Sequence, residues 1–253
     1  MPASVRLSEM LKLGRLIKPK KEVITLQLEE FIIKEKMWQD PVEVKLCVDT
    51  EKFASGGFRD AFIAVTISGM RPGKYVLKRY KQDTIGSIIE LFGSTQIHTR
   101  KSVQMNALAR NFAKAVEQEK PEEFGDTFAY SKVYFAKYND EYVTLEQYID
   151  GLFCKFVNNN GDILPSTVSE PEVGLKAECY CHYTYVKSGE QLMVLDIQGV
   201  NYTLCDPEIA STNLQDTTDQ SILFCSGNLS SQAIENFLTF HACNKYCELL
   251  KLK

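Results

Sequence analysis

The chain has 253 residues, of which 44% are hydrophobic and 25% are charged, values that are ordinary for a folded globular protein. They exclude a fibrous repeat or a largely disordered chain, and the length allows one large domain or two lobes with a substantial core. The 29 basic and 33 acidic residues give a formal net charge of −4, which argues against general nucleic-acid binding.

The first 27 residues are predicted to form a basic leader or linker. Six lysine and arginine residues lie between positions 1 and 21, against Glu9 alone. The apolar residues of this stretch are too interrupted for a secretory signal, and no part of the sequence approaches the roughly 20 apolar residues that span a bilayer. We therefore expect a cytoplasmic protein without a transmembrane segment. The leader is either a solvated tail or a contact for a membrane or a partner.

An N-terminal lobe is predicted over residues 28–140, rich in strands and with one helix. Strands of an antiparallel meander are predicted at 43–49, 58–67 and 75–80. These segments are rich in β-branched and aromatic residues, with turn residues between them. Apolar side chains then recur with helical spacing over 102–119, which predicts an amphipathic helix that packs on the sheet and ends before Pro121.

A C-terminal lobe is predicted over residues 141–253. It begins with a strand at 141–149, which follows another strand-like stretch at 127–137. Residues 191–197 form the most apolar strand, and an apolar stripe over 231–250 predicts a final helix. The sequence therefore predicts an α+β protein with two lobes.

A first candidate site involves a lysine in a predicted strand. Period-two alternation places Lys78 on a face with apolar neighbours, so its charge needs a partner. Upstream, the Gly56-Gly57 turn would let backbone N–H groups approach phosphate oxygens, and Arg59 follows as a bidentate donor. Together these features indicate a cradle for a nucleotide triphosphate. A plain hairpin and a solvated lysine are the alternative interpretation.

A second candidate site follows the apolar strand near residue 195. That strand leads to Asp196, Gln198 projects from the same side, and Asp206 follows a loop. Oxygen donors of this kind suit Mg²⁺, which keeps water and substrate phosphates in its remaining positions. Phosphoryl transfer needs positioned phosphates, neutralised charge and a carboxylate near the attacking hydroxyl. The alternative is that Asp196 caps a loop and Asp206 begins a turn.

Cysteine and histidine residues form two groups. They are Cys179, Cys181 and His182, and then His241, Cys243 and Cys247. Without a secretory signal, metal binding is a better interpretation than disulfides. Cys243 and Cys247 share a helical face, whereas His241 is about 200° away, so the helix must distort or the histidine must reach around. His182 would complete a closed His₂Cys₂ zinc site of the structural kind, with Cys179 and Cys181 as competitors and buried core residues as the alternative.

Several ordered motifs resemble the alpha-kinase family of atypical protein kinases. They are Val194-Leu195-Asp196-Ile197-Gln198-Gly199-Val200, Asp206-Pro207, Gly227-Asn228-Leu229 and His241-x-Cys243-Asn244-x-x-Cys247, within a region from about Lys52 to Leu252. The resemblance implies a two-lobed protein-kinase-like fold with a structural zinc site in the C-terminal lobe. It also implies transfer of the ATP γ-phosphate to Ser or Thr of a protein substrate.

The resemblance also implies roles for individual residues. Gly56, Gly57, Arg59 and Lys78 would bind the ATP phosphates. Glu146 would lie at the hinge near adenine, and Gln198 and Asp206 would hold Mg²⁺. The catalytic residues would be Asp206, Asp196 and Lys78. The zinc ligands would be His182, His241, Cys243 and Cys247, which sets aside Cys179 and Cys181.

One segment departs from the family pattern. The family's C-terminal glycine-rich loop reads G-x-G-N-L-G-x-x-G, and residues 225–233 keep only Gly227 of its four glycines. Side chains replace glycine where a substrate segment passes, so we expect altered docking of protein substrates. The main expectation is an active Ser/Thr kinase that also phosphorylates itself. The alternative is a pseudokinase or zinc-stabilised scaffold that binds ATP without efficient transfer.

Overall fold

The computed structural model describes residues 21–165 and 171–252. Most of the expected leader, residues 1–20, lies outside this description. Its last part does not, because Lys21–Glu29 forms strand β1. Ile24, Leu26 and Leu28 alternate with exposed residues along β1 and are buried, so hydrophobic burial fixes this strand in the fold despite its charged neighbours. The expectation of a leader through residue 27 was therefore wrong for residues 21–27.

The first lobe is built on a closed β-barrel. After β1 the strands up to residue 147 are β2 (Phe31–Ile32), β3 (Met37–Trp38), β4 (Val42–Asp49), β5 (Ala54–Ser55), β6 (Arg59–Ser68), β7 (Lys74–Tyr80), β8 (Ala129–Tyr130), β9 (Val133–Tyr138) and β10 (Glu141–Gln147). Six strands pair in the order β4-β1-β9-β10-β7-β6, and β4 also pairs with β6, which closes the ring. Leu46, Leu77 and Leu145 are among the side chains that fill its interior. The predicted antiparallel meander corresponds to β4, β6 and β7.

The boundary between the lobes lies later than predicted. Strand β10 pairs with both β7 and β9, so residues 141–147 belong to the barrel and not to the C-terminal lobe. Residues 139–140, at the predicted boundary, form the turn of a β-hairpin inside the barrel, with Asn139 in the left-handed region at φ 53°. The chain leaves the barrel only after Gln147.

Two helices follow β7, where the sequence predicted one. They are α1 (Ile85–Phe92) and α2 (Thr95–Glu119). Helix α2 begins seven residues before its predicted start, and the Ser94 side chain caps it by accepting a hydrogen bond from the Ile97 N–H at 3.1 Å. It ends before Pro121, as expected. Its apolar face, including Met105, Ala109 and Ala113, packs into the core of the second lobe.

The second lobe places two small sheets against helices. Its elements are β11 (Cys154–Val157), α3 (Pro171–Lys187), β12 (Leu192–Leu195), β13 (Ile197–Val200), β14 (Thr203–Leu204), β15 (Glu208–Ser211), α4 (Ser230–Phe240) and α5 (Lys245–Leu249). One sheet has the order β11-β13-β14-β8, and the other pairs β12 with β15. The apolar strand predicted at 191–197 is interrupted at Asp196, whose φ of 56° redirects the chain from one sheet to the other.

The helix predicted at 231–250 is broken in two. Helix α4 ends at Phe240, residues 241–244 are not helical, and Asn244 caps α5 by accepting from the N–H groups of Tyr246 and Cys247. The break removes the 200° separation that a continuous helix would impose on His241. None of the helices in the described parts of the chain has both the length and the hydropathy required to cross a bilayer.

Candidate active site

A cavity of about 680 Å³ lies between the barrel and the second lobe, and we call it the cleft. Its size is in the range of small-molecule and cofactor sites. The residues expected to bind nucleotide or act in catalysis all line it: Gly56, Gly57, Arg59, Lys78, Glu146, Asp196, Gln198 and Asp206. The structure therefore brings together residues that are far apart in the sequence.

Lys78 reaches the cleft from β7 of the barrel. Its Nζ lies 2.5 Å from Oε1 of Glu146 on β10 and forms an ion pair and hydrogen bond with Oδ1 of Asp206 from the second lobe. Burial lowers the pKa of the lysine, but Asp206 and Glu146 outweigh that effect and raise it above its ordinary value. The ammonium is therefore charged at neutral pH and sits where the two lobes meet.

The two carboxyls on Lys78 are unequal. The side chain of Asp206 is 54% exposed to the cleft, whereas that of Glu146 is 5% exposed. Burial and the nearby Asp206 raise the pKa of Glu146 despite the opposing effect of Lys78, whereas burial of Asp206 is outweighed, chiefly by Lys78, and its pKa is lowered. Asp206 is therefore the ionised, accessible carboxylate of the pair. Its φ of 46° is in the left-handed region, a conformation often held at functional sites.

Asp196 is held by two neighbours on adjacent strands. Lys155 Nζ on β11 lies 2.5 Å from its Oδ1, and the Gln198 amide donates to its Oδ2 at 2.7 Å and to the backbone oxygen of Asp206 at 3.3 Å. Burial raises the pKa of Asp196, and Lys155 opposes that rise. Gln198 thus links the two aspartates that the sequence singled out. Lys155 was missed, although it alternates with apolar residues in a strand as Lys78 does.

Arg59 is a cationic group with only neutral partners among the described residues. Its guanidinium donates to the hydroxyls of Tyr80 at 2.7 Å, Thr144 at 3.2 Å and Ser102 at 3.3 Å, and it stacks on the Tyr80 ring at 4.5 Å. The charge is therefore positioned without being neutralised. Beside it, the β5–β6 hairpin closes with a bond from the Gly56 N–H to the Arg59 carbonyl at 2.8 Å, and a side chain at Gly57 would meet open space.

Glu208 is a further acidic group in the cleft that sequence analysis did not identify. It follows Asp206 and Pro207 at the start of β15, and its Oε2 atom is buried without a hydrogen-bond partner among the described residues. Burial, together with the nearby Asp196 and Asp206, raises its pKa to about 8. The only sequence signal was an acidic residue after Asp-Pro, which is also typical of a turn.

A cluster of His182, His241, Cys243 and Cys247 lies in the second lobe. Their ligand atoms are all within 4.8 Å of one another. Sγ of Cys243 lies 3.6 Å from Nδ1 of His182, and Sγ of Cys247 lies 3.6 Å from Nε2 of His241. Tetrahedral zinc, with Zn–S of about 2.3 Å and Zn–N of about 2.0–2.1 Å, has S···N edges of roughly 3.6 Å. The residues therefore fit a zinc ion.

Groups around the cluster orient one histidine and favour the thiolate of one cysteine. Nδ1 of His241 contacts Oε2 of Glu178 at 3.1 Å, so Nε2 is the atom that faces the cluster. Hydrogen bonding from Cys179, the largest effect, helps to lower the pKa of Cys247 to about 3, which favours the thiolate. Cys179 thus contacts a member of the cluster, while Cys181 is buried in the core.

These features define a class of protein. A barrel lobe that supplies a lysine, a second lobe that supplies aspartate and glutamine, and a cleft between them are the parts of a protein-kinase-like catalytic domain. The model of the Alpha-kinase family matches residues 54–247, which is more than half of the chain. The chain belongs to the alpha-kinase family. The expected class, an alpha-type protein kinase, is thereby confirmed at the level of the family.

Comparisons with individual proteins support this assignment. Human "Transient receptor potential cation channel subfamily M member 6" is 29% identical over 206 residues, which is 78% of this chain and 10% of that protein. Rat "Eukaryotic elongation factor 2 kinase" is 26% identical over 218 residues, 83% of this chain and 27% of that protein. The chain thus spans from a tenth to about a quarter of the length of these relatives.

A solved structure supports the fold. The alpha-kinase domain of Myosin Heavy Chain Kinase A, in complex with AMP, matches with a TM-score of 0.75 at 23% identity, over 92% of this chain and 100% of that one. The expected α+β, two-lobed alpha-kinase fold is confirmed.

Proposed function

We propose that this chain is a Mg-ATP-dependent protein kinase that transfers the ATP γ-phosphate to Ser or Thr of a protein substrate. The observation that carries the proposal is the meeting of Lys78 from the barrel with Asp206 from the second lobe in a cleft of nucleotide size. The kinase named among the relatives and the AMP-bound structural neighbour support a nucleotide as the ligand.

The phosphates would be bound by the barrel side of the cleft. Lys78 and Arg59 supply positive charge, and the Gly56-Gly57 turn leaves room for phosphate oxygens beside its backbone N–H groups. Glu146 was expected beside adenine. Its contact with Lys78 instead supports a role in orienting the lysine toward the phosphates.

The second lobe would supply the cation ligands and the acceptor site. Oε1 of Gln198 and the carboxylate of Asp206 fit the hard-oxygen preference of Mg²⁺, which when bound neutralises charge that develops on the transferred phosphoryl group. Asp196 lies next to them through its bond with Gln198. It is the carboxylate we assign to the acceptor hydroxyl, whose proton it would accept during transfer.

A structural zinc ion is part of the same proposal. Its ligands would be His182, His241, Cys243 and Cys247, with no open coordination position, as in structural zinc sites. The support is the spacing of the four ligand atoms.

A cytoplasmic location also belongs to the proposal, because cysteines must be reduced to bind a metal.

The test is a transfer assay with γ-labelled ATP, Mg²⁺ and a basic, Thr-containing peptide, with phosphorylation of the protein itself read in parallel. Asp206→Asn and Lys78→Met should lower transfer at least about 10²–10³-fold, the order lost when a group that stabilises a transition-state charge is removed. The matched control is Lys21→Met, which removes a lysine of a surface ion pair on β1. Undiminished transfer by folded Asp206→Asn protein would overturn the assignment.

One observation favours the alternative of nucleotide binding without efficient transfer. Cys225, which replaces the first glycine of the family's loop, and the adjacent Ser226 line the cleft. Cys225 Sγ shares a hydrogen bond with Ser102 Oγ at 3.3 Å, and Ser226 Oγ lies 3.5 Å from Nε2 of His98. Calorimetric binding of an ATP analogue, without transfer to any peptide or to the protein itself, would select this alternative.

A further inference from the structure

Glu208 differs from the other carboxyls that line the cleft. Glu146 and Asp206 share Lys78, and Asp196 is paired with Lys155. The Oε2 atoms of Glu146 and Glu208 are both buried without a hydrogen-bond partner, but within the described residues Glu208 also forms no ion pair. A buried polar oxygen without a partner is costly and unusual in a folded protein, so it calls for a ligand that is bound when the site works.

The strand pairing places Glu208 among the residues proposed to act in transfer. Glu208 pairs with Leu195 across the β12–β15 ladder, so it stands beside the residue that precedes Asp196. It is also two residues from Asp206, and both side chains line the same cleft. Glu208 therefore lies at the end of the cleft where the phosphates and the cation would be bound.

Gly227 keeps the space next to this carboxyl open. A Cβ at Gly227 would lie 2.3 Å from the carboxyl carbon of Glu208 and 2.5 Å from its Oε2. The φ of Gly227 is outside the left-handed region, so the backbone angle does not require glycine there. The one glycine that this chain retains from the family's loop is thus the one whose missing side chain makes room for Glu208.

We propose that Glu208 is a cation ligand: with Asp206 and phosphate oxygens of the bound nucleotide, its carboxylate binds a second divalent cation in the cleft. This inference rests on the proposed function, because the nucleotide supplies the remaining ligands. A divalent cation held by one or two carboxylates and by substrate phosphates is the usual arrangement for Mg²⁺. The charges favour it as well, because Lys78 and Lys155 are already paired and Arg59 alone offers less positive charge than a triphosphate beside four carboxyls brings in negative charge.

The test counts cations directly. Mn²⁺ replaces Mg²⁺, and the loss of the free Mn²⁺ signal in electron paramagnetic resonance gives the bound ions per protein at a saturating concentration of a non-hydrolysable ATP analogue. The wild-type protein should bind two Mn²⁺ ions with the analogue, and Glu208→Gln should bind one. The control Glu90→Gln, an exposed carboxyl on α1, should still bind two.

A second variant protects the test against misfolding. Gly227→Ala keeps the Glu208 carboxylate but forces it aside, so it should also lose the second ion. A single ion in the wild-type protein with the analogue bound would overturn the inference and leave the proposed function standing. Two ions retained by folded Glu208→Gln or Gly227→Ala protein would overturn it too. Failure of the wild-type protein to bind the analogue would overturn the proposed function itself, and this inference with it.

Discussion

The His-Cys cluster predicts a large and specific loss of stability when one ligand is removed. The four ligands come from three segments, with His182 on α3, His241 and Cys243 after α4, and Cys247 on α5. Apparent zinc binding energies of about 10–16 kcal/mol, divided evenly over four ligands, give about 2.5–4 kcal/mol for each. That is a large fraction of a typical domain stability of about 5–15 kcal/mol. For a chain of this length it corresponds to a Tm lower by about 5–15 °C.

The assay compares Cys247→Ala with Cys181→Ala. Both variants delete a fully buried sulfur of the same lobe, and only the first removes a proposed ligand. Thermal unfolding is followed by circular dichroism with and without a zinc chelator, and zinc is measured by elemental analysis. We expect chelation to destabilise the wild-type protein and Cys181→Ala, but to leave the already weakened Cys247→Ala unchanged. Folded wild-type protein that contains no zinc, or a Tm that chelator does not move, would refute the reasoning.

Two further predictions concern buried charge. Lys155→Met should lower kcat about 10²-fold, because Asp196 loses the ion pair that positions it. The KM for ATP should change little, and Lys155→Arg should restore part of the rate. A lower affinity for ATP without a fall in kcat would contradict this prediction. Burial lowers the pKa of His98 from 6.5 to about 3. Between these pH values the unfolded state binds more protons than the folded state. The free energy of unfolding therefore falls as pH falls, by up to about 1.4 kcal/mol per pH unit. Urea unfolding between pH 6.5 and 4.5 should therefore show a weaker pH dependence in His98→Gln than in the wild type, and parallel dependences would exclude the buried histidine as the cause.

The barrel strands were predictable where burial is one-sided. Side chains of β4 alternate between the barrel interior and its outer face, and a period-two pattern records that alternation. Strand β1 has the same pattern, at Ile24, Leu26 and Leu28, but the many basic residues before it favoured a leader. Closure of the ring by β4 and β6 has no local signal, because it depends on the tertiary path of the chain.

The early start of α2 was hidden by buried polar residues. His98 and Thr99 are buried at helix positions where an amphipathic pattern would have apolar side chains. Both can be buried because they hydrogen-bond with the Tyr80 hydroxyl, at 2.7 Å to Nδ1 of His98 and 2.9 Å to Oγ1 of Thr99. A hydrogen-bonded polar group is stable in a core, but a hydrophobicity pattern cannot identify its partner. The same limit applies to Glu208, whose environment depends on Gly227 in a distant loop.

The candidate site was predictable as a set of chemical groups and not as a set of contacts. Lys78, Gln198 and Asp206 follow from strand position, residue type and order along the chain. That Asp206 pairs directly with Lys78, and that Lys155 holds Asp196, depends on how the two lobes meet. For the break after α4, in contrast, the sequence indicated a structural feature: the spacing of His241 and Cys243 required the helix to distort if both bind one metal, and the helix ends at Phe240.

Helix α2 connects the proposed phosphate arginine to the loop that departs from the family pattern. Ser102 Oγ accepts from Arg59 at 3.3 Å and also shares a hydrogen bond with Sγ of Cys225, while Lys101 Nζ donates to the Ile222 carbonyl at 2.6 Å. Glycine at position 225 would have no side chain to make the bond with Ser102. The Cys225 side chain therefore links this loop to the helix that contacts Arg59. A protein acceptor that displaced this loop would break the Cys225–Ser102 hydrogen bond. Ser102, which accepts a hydrogen bond from the Arg59 guanidinium, would then be less restrained. We therefore expect binding of a protein acceptor and binding of the ATP phosphates to be coupled through α2 in this chain.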